Sequence, residues 1–206
     1  MRRVIANLFA SLDGFAVDRD VEMRWVTDNY GKEKEKFVHD AHHSMDVMLL
    51  GRVTYQELAE YWPNASVEEE PLADRMNSIP KVVFSKTLEE PLAWSNATLA
   101  RGDLADEVSA LKRRPGKEIG IVGSVALTQT LAGLGLLDGL RLLVHPVALG
   151  GDGRKPIFEG YGMTGLELAD ATVLDSDVVA LEYRLIGAQV QDPDGNISGL
   201  LQEVRD

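Results

Sequence analysis

Four short stretches carry the residue types that could grip or act on a charged ligand. In "GIVGS", residues 120 to 124, an apolar run ends in Gly123 and Ser124. Glycine lets the backbone approach a ligand closely, and a helix that follows points free N–H groups at the same place, which suits phosphate. Val125, Ala126 and Leu127 are the residues that would bring those N–H groups. In "LLGRVTYQEL", 49 to 58, Gly51 permits a sharp exit from a strand, Arg52 offers a forked cationic donor, and Thr54 and Tyr55 fall in the first turn of the next helix. Together these groups of the 49 to 58 turn could hold a pyrophosphate, or they form an ordinary strand-to-helix turn with a threonine near the cap and the arginine in solvent.

The other two stretches close strands with polar groups. "VVFSKTL", 82 to 88, ends in Ser85, Lys86 and Thr87. Two hydroxyls and an ammonium there would suit the 2′-phosphate that distinguishes NADPH from NADH, or would simply form a polar turn. "SLDG", 11 to 14, ends in Asp13 and Gly14. Asp13 is either an ordinary turn aspartate or a carboxylate at the mouth of a site, binding substrate or relaying a proton.

Other chemistries find less support. Neither the dinucleotide fingerprint G-x-G-x-x-G after a strand nor the phosphate loop G-x-x-x-x-G-K-[ST] occurs, and no G-x-S-x-G elbow offers a strained nucleophile. His39 and His43 stand four apart, with Glu35 four residues before His39. Phe37, Ala41 and Met45 set the apolar stripe of that helix, and at about 100° per residue both histidines face away from it, so no metal site is expected. Glu35, Asp40 and His42 lie nearer the stripe's borders and are better placed to reach a cleft. His145, in an apolar strand before Pro146, reads as a structural residue.

The 206 residues have the ordinary composition of one globular domain, with 45% hydrophobic and 26% charged content. A net charge of −12 argues against nucleic acid or an anionic membrane as partner. The absence of cysteine fits an intracellular, cytoplasmic setting, and no stretch is long and apolar enough to span a bilayer.

Apolar runs at "VIANLFASLDG", "DVMLLG", "KVVFS", "EIGIVG" and "LRLLVHPVALGG" predict strands covered on both faces. Helical spacing predicts helices over about 32 to 45, 52 to 61, 103 to 113 and 124 to 134, the third capped by Asp103 and stopped at Pro115-Gly116. Near the end, "LELADATVLDSDVVALEYRL" reads as two strands joined at Asp175 to Asp177. The expectation is an α/β fold of three layers, a mixed but mainly parallel sheet between helices, ending in an antiparallel hairpin. Residues 1 to 186 would form the domain, and the acidic stretch 187 to 206 a flexible tail.

In order and spacing, "SLDG", "WVT" at 25 to 27, "DVMLLGRVTY" at 46 to 55, "FSKT" at 84 to 87, "IGIVGS" at 119 to 124 and "HPVALGGDGRKPIF" at 145 to 158 resemble the dihydrofolate reductase-like superfamily. The closer resemblance, over about residues 2 to 186, is to the reductase domain of the bifunctional riboflavin-biosynthesis deaminase-reductases. It implies NADPH laid across the sheet edge, with its pyrophosphate between the turn at Gly51 to Tyr55 and the turn at Gly123 to Leu127. It further implies Ser85, Lys86 and Thr87 on the adenosine phosphate, and a homodimer.

The implied reaction is hydride delivery to a C=N or C=O of a small pterin- or pyrimidine-like heterocycle. Phe15, Trp25, Thr27, Gly150 and Gly151 would face the substrate, with Asp13 and Glu35 as the candidate proton-handling residues. A nucleotide- or flavin-binding protein that keeps the fold without catalysis is the alternative. The chain departs from the riboflavin enzymes in carrying Phe15 where a basic residue usually follows "SLDG".

Overall fold

The computed structural model describes residues 1 to 16, 24 to 29, 31 to 150, 155 to 162 and 164 to 188. Each apolar run becomes a strand: β1 (Val4–Ser11), β2 (Met45–Gly51), β3 (Lys81–Phe84), β5 (Glu118–Val122) and β6 (Gly139–His145). A short β4 (Ala97–Leu99) joins them, and β7 (Thr164–Val173) and β8 (Val179–Ala188) form the terminal hairpin. The eight strands lie in one sheet in the order β4-β3-β2-β5-β1-β6-β8-β7. All neighbours from β4 to β6 pair parallel, and β8 and β7 pair antiparallel.

Helices cover both faces, which is why the central strands can be apolar on both. On one side, α5 (Leu104–Arg113) and α6 (Val125–Gly133) bury Val108 and Leu131 against Val4, Ala6 and Leu8 of β1. Asp103 caps α5 as expected, accepting the Ala105 N–H at 2.8 Å.

On the other side lie α2 (Lys32–Ser44), α3 (Arg52–Tyr61) and the short α4 (Ala73–Ser78). Met48, Leu50 and Val83 pack there with Met76, Ile79 and Trp94, while Phe37 and Val38 of α2 pack on Leu143. The alternation along β1 divides the two cores. Even residues face α5 and α6, and Asn7 and Phe9, in register with Arg141 and Leu143, face α2.

The three-layer α/β reading therefore holds. Four elements were not anticipated: α4, the edge strand β4, a four-residue α1 (Arg24–Thr27) within the "WVT" motif, and a single 3₁₀ turn at Trp62–Asn64. β8 continues to Ala188, two residues past the expected domain limit, and residues 189 to 206 of the expected tail lie outside the described residues. Among the described residues, no helix is long and apolar enough to cross a membrane and no metal-binding cluster occurs. His39 and His43 stack on each other with centroids 4.0 Å apart.

Candidate active site

The carboxyl ends of β2 and β5 bring the two phosphate-type turns together. Gly51 caps α3 and Ser124 caps α6, and the Gly51 N–H donates to Ser124 Oγ at 3.0 Å. Gly123 has φ +66, and a Cβ built on it would lie 3.3 Å from Thr54 Cγ2, so this glycine is what allows one turn to rest on the other. The first-turn N–H groups of both helices, Arg52 to Thr54 and Val125 to Leu127, have no intrahelical acceptor and carry the positive ends of two helix dipoles. All six residues line one cavity of about 330 Å³, within the usual range of ligand sites. Arg52 and Lys155, both exposed, also line it.

The deeper half lies under α2. Phe9 and Leu143 from the sheet and Phe37, Val38 and Ala41 from the helix give it apolar walls, and Asn7, His42 and Arg141 give it polar groups. His42 is buried, with Nδ1 2.8 Å from the Val38 carbonyl. Burial pushes its pKa down, so at neutral pH the ring is uncharged, with the proton on Nδ1.

Arg141 is held by a charge cluster. Its Nη1 lies 2.8 Å from Glu118 Oε2, its Nε 3.0 Å from Glu182 Oε1, and its side chain is 12% exposed. Burial alone would raise the pKa of Glu118, but the hydrogen bond and charge of Arg141, with Ser44 and Arg3, hold it below the ordinary value.

Of the residues expected to bind a cofactor, Gly51, Arg52, Thr54, Gly123, Ser124, Val125, Ala126 and Leu127 all line this cavity. Tyr55 does not, which corrects that expectation. It is 3% exposed, packs near Trp94, and its hydroxyl accepts the Trp94 N–H at 3.1 Å, because the turn of α3 that opens Thr54 to the cavity rotates the next residue into the core. Tyr55→Phe leaves that buried N–H without its acceptor and should lower stability by about 1 to 3 kcal/mol in a urea melt.

Ser85, Lys86 and Thr87 also fall outside the lining. Ser85 Oγ accepts the Thr87 and Leu88 N–H groups at 3.1 and 3.0 Å, and Lys86 is exposed. Phe84 pairs in register with Gly51, so this polar turn leaves the sheet at the same edge as the cavity.

The expected substrate and proton residues scatter. Asp13 is a clamp: its carboxylate accepts from Ser11 Oγ at 2.6 Å and from the Leu149 and Gly150 N–H groups at 3.0 and 2.8 Å, tying the exit of β1 to the exit of β6. Those hydrogen bonds, Ser11 first, lower its pKa to about 2, so it stays ionised rather than relaying protons near neutral pH. Phe15 is half-buried with its N–H on Ser11 Oγ, and its neighbour Ala16 lines the cavity instead. Gly150 is exposed and held by Asp13, and Gly151 lies outside the described residues.

Thr27 is exposed at the end of α1. Trp25 stands edge-on to His145, with ring centroids 5.0 Å apart, in a structural rather than cavity-lining place. Glu35 shares the helix stripe of Val38 and His42 but lies seven residues before His42, roughly 10 Å along the axis, and does not line the cavity. Asp40 is exposed and paired with Lys36.

His145 is fully buried, its Nδ1 2.9 Å from the Leu143 carbonyl, and burial with the nearby Lys34 ammonium lowers its pKa to about 4. A group with a depressed folded pKa binds fewer protons folded than unfolded, so its contribution is present above the unfolded value near 6.5 and lost as pH falls toward about 4. Melting temperature should fall across that window, and His145→Phe should flatten the fall.

Arg141 and Asn7 were not singled out from the sequence. The available signal was a polar residue at an inward position of a mostly apolar strand, in "GLRLLVH" and "VIANLF".

A mainly parallel sheet edged by an antiparallel hairpin, with two helix N-termini opening on one cavity, defines the dihydrofolate reductase-like class. The chain belongs to the RibD C-terminal domain family, a family of riboflavin-pathway-type reductase domains, whose model matches residues 2 to 180. An uncharacterized protein of Bacillus subtilis, YyaP, is 29% identical over 191 residues, which is 90% of this chain and 96% of the relative.

Among solved structures, a Shewanella sp. PV-4 protein ascribed to riboflavin biosynthesis superposes with a TM-score of 0.71 at 20% identity, covering 90% of this chain and 99% of that one. A Thermotoga maritima diaminohydroxyphosphoribosylaminopyrimidine deaminase/5-amino-6-(5-phosphoribosylamino)uracil reductase gives 0.62 at 16% identity, covering 90% of this chain and 57% of the longer one.

Proposed function

We propose that this chain is an NADPH-dependent reductase that delivers hydride to a small pterin- or pyrimidine-like heterocycle. The observation that carries this reading is the convergence of the α3 and α6 N-termini, tied by Gly51 and Ser124, on a cavity whose deeper half has aromatic walls. The residues present fit the cofactor: six first-turn N–H groups without an intrahelical acceptor, the Ser124 and Thr54 hydroxyls and Arg52 would hold a pyrophosphate, and Gly123 leaves room that a Cβ would fill. Lys86, at the same sheet edge, would meet the 2′-phosphate.

NADPH, when bound, supplies the hydride. The chain's own residues orient the acceptor ring between Phe9, Phe37 and Leu143 and exclude bulk water from it. Among the described residues the cavity is lined by one carboxylate, Glu57, which is exposed, and on this reading the proton that follows hydride transfer is assigned to water. The uracil reductase activity named for the Thermotoga structure supports the choice of a heterocyclic substrate. A homodimer belongs to the same reading, with β7 at one edge of the sheet and Leu168 and Val173 exposed along it, and light scattering measures it.

Arg52→Ala is expected to weaken NADPH binding about tenfold, as removal of a charge-assisted contact does. Lys86→Ala should erode the preference for NADPH over NADH while sparing NADH affinity. If neither change moves either dissociation constant, the cofactor does not lie along this edge.

A further inference from the structure

The deep end of the cavity holds three polar groups whose hydrogen-bonding capacity the protein itself does not use up. Asn7 and Arg141 are register partners on β1 and β6, with side chains on the face that α2 covers. Arg141 Nη1 reaches Ser44 Oγ at 3.1 Å, two residues beyond His42, so the three side chains gather under the carboxyl end of one helix.

Their roles follow from their partners. Arg141 spends Nε on Glu182 and Nη1 on Glu118 and Ser44, and among the described residues its Nη2 has no hydrogen-bond partner, which leaves N–H groups to donate. Asn7 Nδ2 lies 3.4 and 3.3 Å from the carbonyls of Ile5 and Ile121, which fixes which end of the amide is the donor. Its Oδ1 is buried and, among the described residues, accepts from nothing. His42 keeps its proton on Nδ1 for Val38, so Nε2 presents a lone pair. The floor thus offers one donor and two acceptors.

Charge decides what kind of group can use it. Glu118 and Glu182 together outweigh Arg141, and Arg3, which pairs with Glu118 from an exposed position, brings the sum of that cluster only to zero. Arg75, the other cation near His42, donates to the His42 and Met45 carbonyls and does not line the cavity. A carboxylate or phosphate set there would lose its water without meeting net positive charge. An uncharged ring edge carrying C=O beside N–H matches both kinds of partner, and the walls of Phe9, Phe37 and Leu143 suit a flat ring.

We propose that Arg141, Asn7 and His42 read the uncharged amide edge of a planar heterocycle, the carbonyl on Arg141 and the N–H on Asn7 or His42, and reject anionic groups at that depth. The inference rests on the reductase reading for its choice of a heterocycle as occupant, and it adds which residues select it and by what chemistry.

The test is isothermal titration of three ring probes into the full chain, with and without saturating NADPH: pteridine-2,4-dione, its 1,3-dimethyl derivative, which keeps the carbonyls but loses the N–H groups, and quinoxaline-2-carboxylate. The dione should bind at least about tenfold tighter than either of the others, since a site built to pair a polar group discriminates against an analogue lacking it. Asn7→Leu and His42→Phe should each weaken the dione about five- to tenfold while leaving the dimethyl derivative within about twofold, with melting curves confirming that each variant is folded.

Equal binding of the dione and its dimethyl derivative, tighter binding of the carboxylate, or binding of none of the three overturns the proposal. Should a variant not fold, the ranking of the three probes on the unmodified chain decides. NADPH affinity, measured in the same samples, separates the two readings. Dione selection without NADPH binding keeps this floor and overturns the reductase, whereas NADPH binding without dione selection does the reverse.

Discussion

Replacing Arg141 by Met is expected to lower the unfolding free energy by about 3 to 5 kcal/mol, on the order of 10 °C in melting temperature for a chain of this size. The cost comes from what the substitution leaves behind. The Glu118 side chain is only 12% exposed, so water replaces the lost partner poorly there and leaves it to Arg3 and Ser44, whereas Glu182, 34% exposed, turns partly to water. Ser44 Oγ loses a donor as well.

The effect should depend on pH in a defined direction. In the native cluster Glu118 has a depressed folded pKa, so its stabilising contribution is present above the unfolded pKa near 4.5 and is lost as pH falls through the folded one. In Arg141→Met Glu118 keeps Arg3 and Ser44 but loses the largest influence that opposes burial, so its folded pKa moves upward and protonation costs the variant less than the native protein as pH falls. The gap between the two proteins should therefore be largest near pH 7 and shrink toward pH 4. Urea melts at both values measure it, and a gap at pH 7 below about 1 kcal/mol would show that the cluster is no more than a surface ion pair.

Gly123→Val should weaken dinucleotide binding about a hundredfold, with a smaller loss of stability. Two effects combine. A left-handed φ of +66 costs an L-residue roughly 1 to 2 kcal/mol, more when it is β-branched. The new Cβ would also stand 3.3 Å from Thr54 Cγ2, so the turn is pushed off its neighbour and the donors at Val125 to Leu127 lose their common aim with those of α3. Titration of NADPH measures the loss, and Gly133→Ala, in α6 away from the turns, is the control. Unchanged affinity in Gly123→Val would detach the phosphate grip from this turn.

The layout of the sheet was legible in the sequence because its central strands are buried on both faces, so unbroken apolar runs mark them directly. β4 was missed because it is three residues at the sheet edge, half-exposed, too short to show a pattern. α4 was missed because six residues, "ADRMNS", cannot display a helical period.

The two turns that meet at the cavity were legible for a different reason: glycine and hydroxyl residues at strand ends have few structural uses in that combination. Tyr55 was misplaced because two residues adjacent on a helix face directions about 100° apart, and only packing against Trp94 decides which of them turns inward. The two readings open for Asp13 could not be separated in the sequence because its hydrogen-bond partners Leu149 and Gly150 lie 136 and 137 residues away. Arg141 and Asn7 were visible as polar residues in mostly apolar strands, but their significance depends on which face of the sheet is left open beneath α2.

The central claim is that the two joined turns hold NADPH, and thermal unfolding of the full chain alone, with NADPH and with NADH tests it most directly. At about a hundred times its dissociation constant a ligand bound only to the folded state stabilises by roughly 2.7 kcal/mol, which is a shift of several degrees here. That shift is expected with NADPH, and a distinctly smaller one with NADH at equal concentration. No shift with NADPH up to millimolar concentration would contradict it.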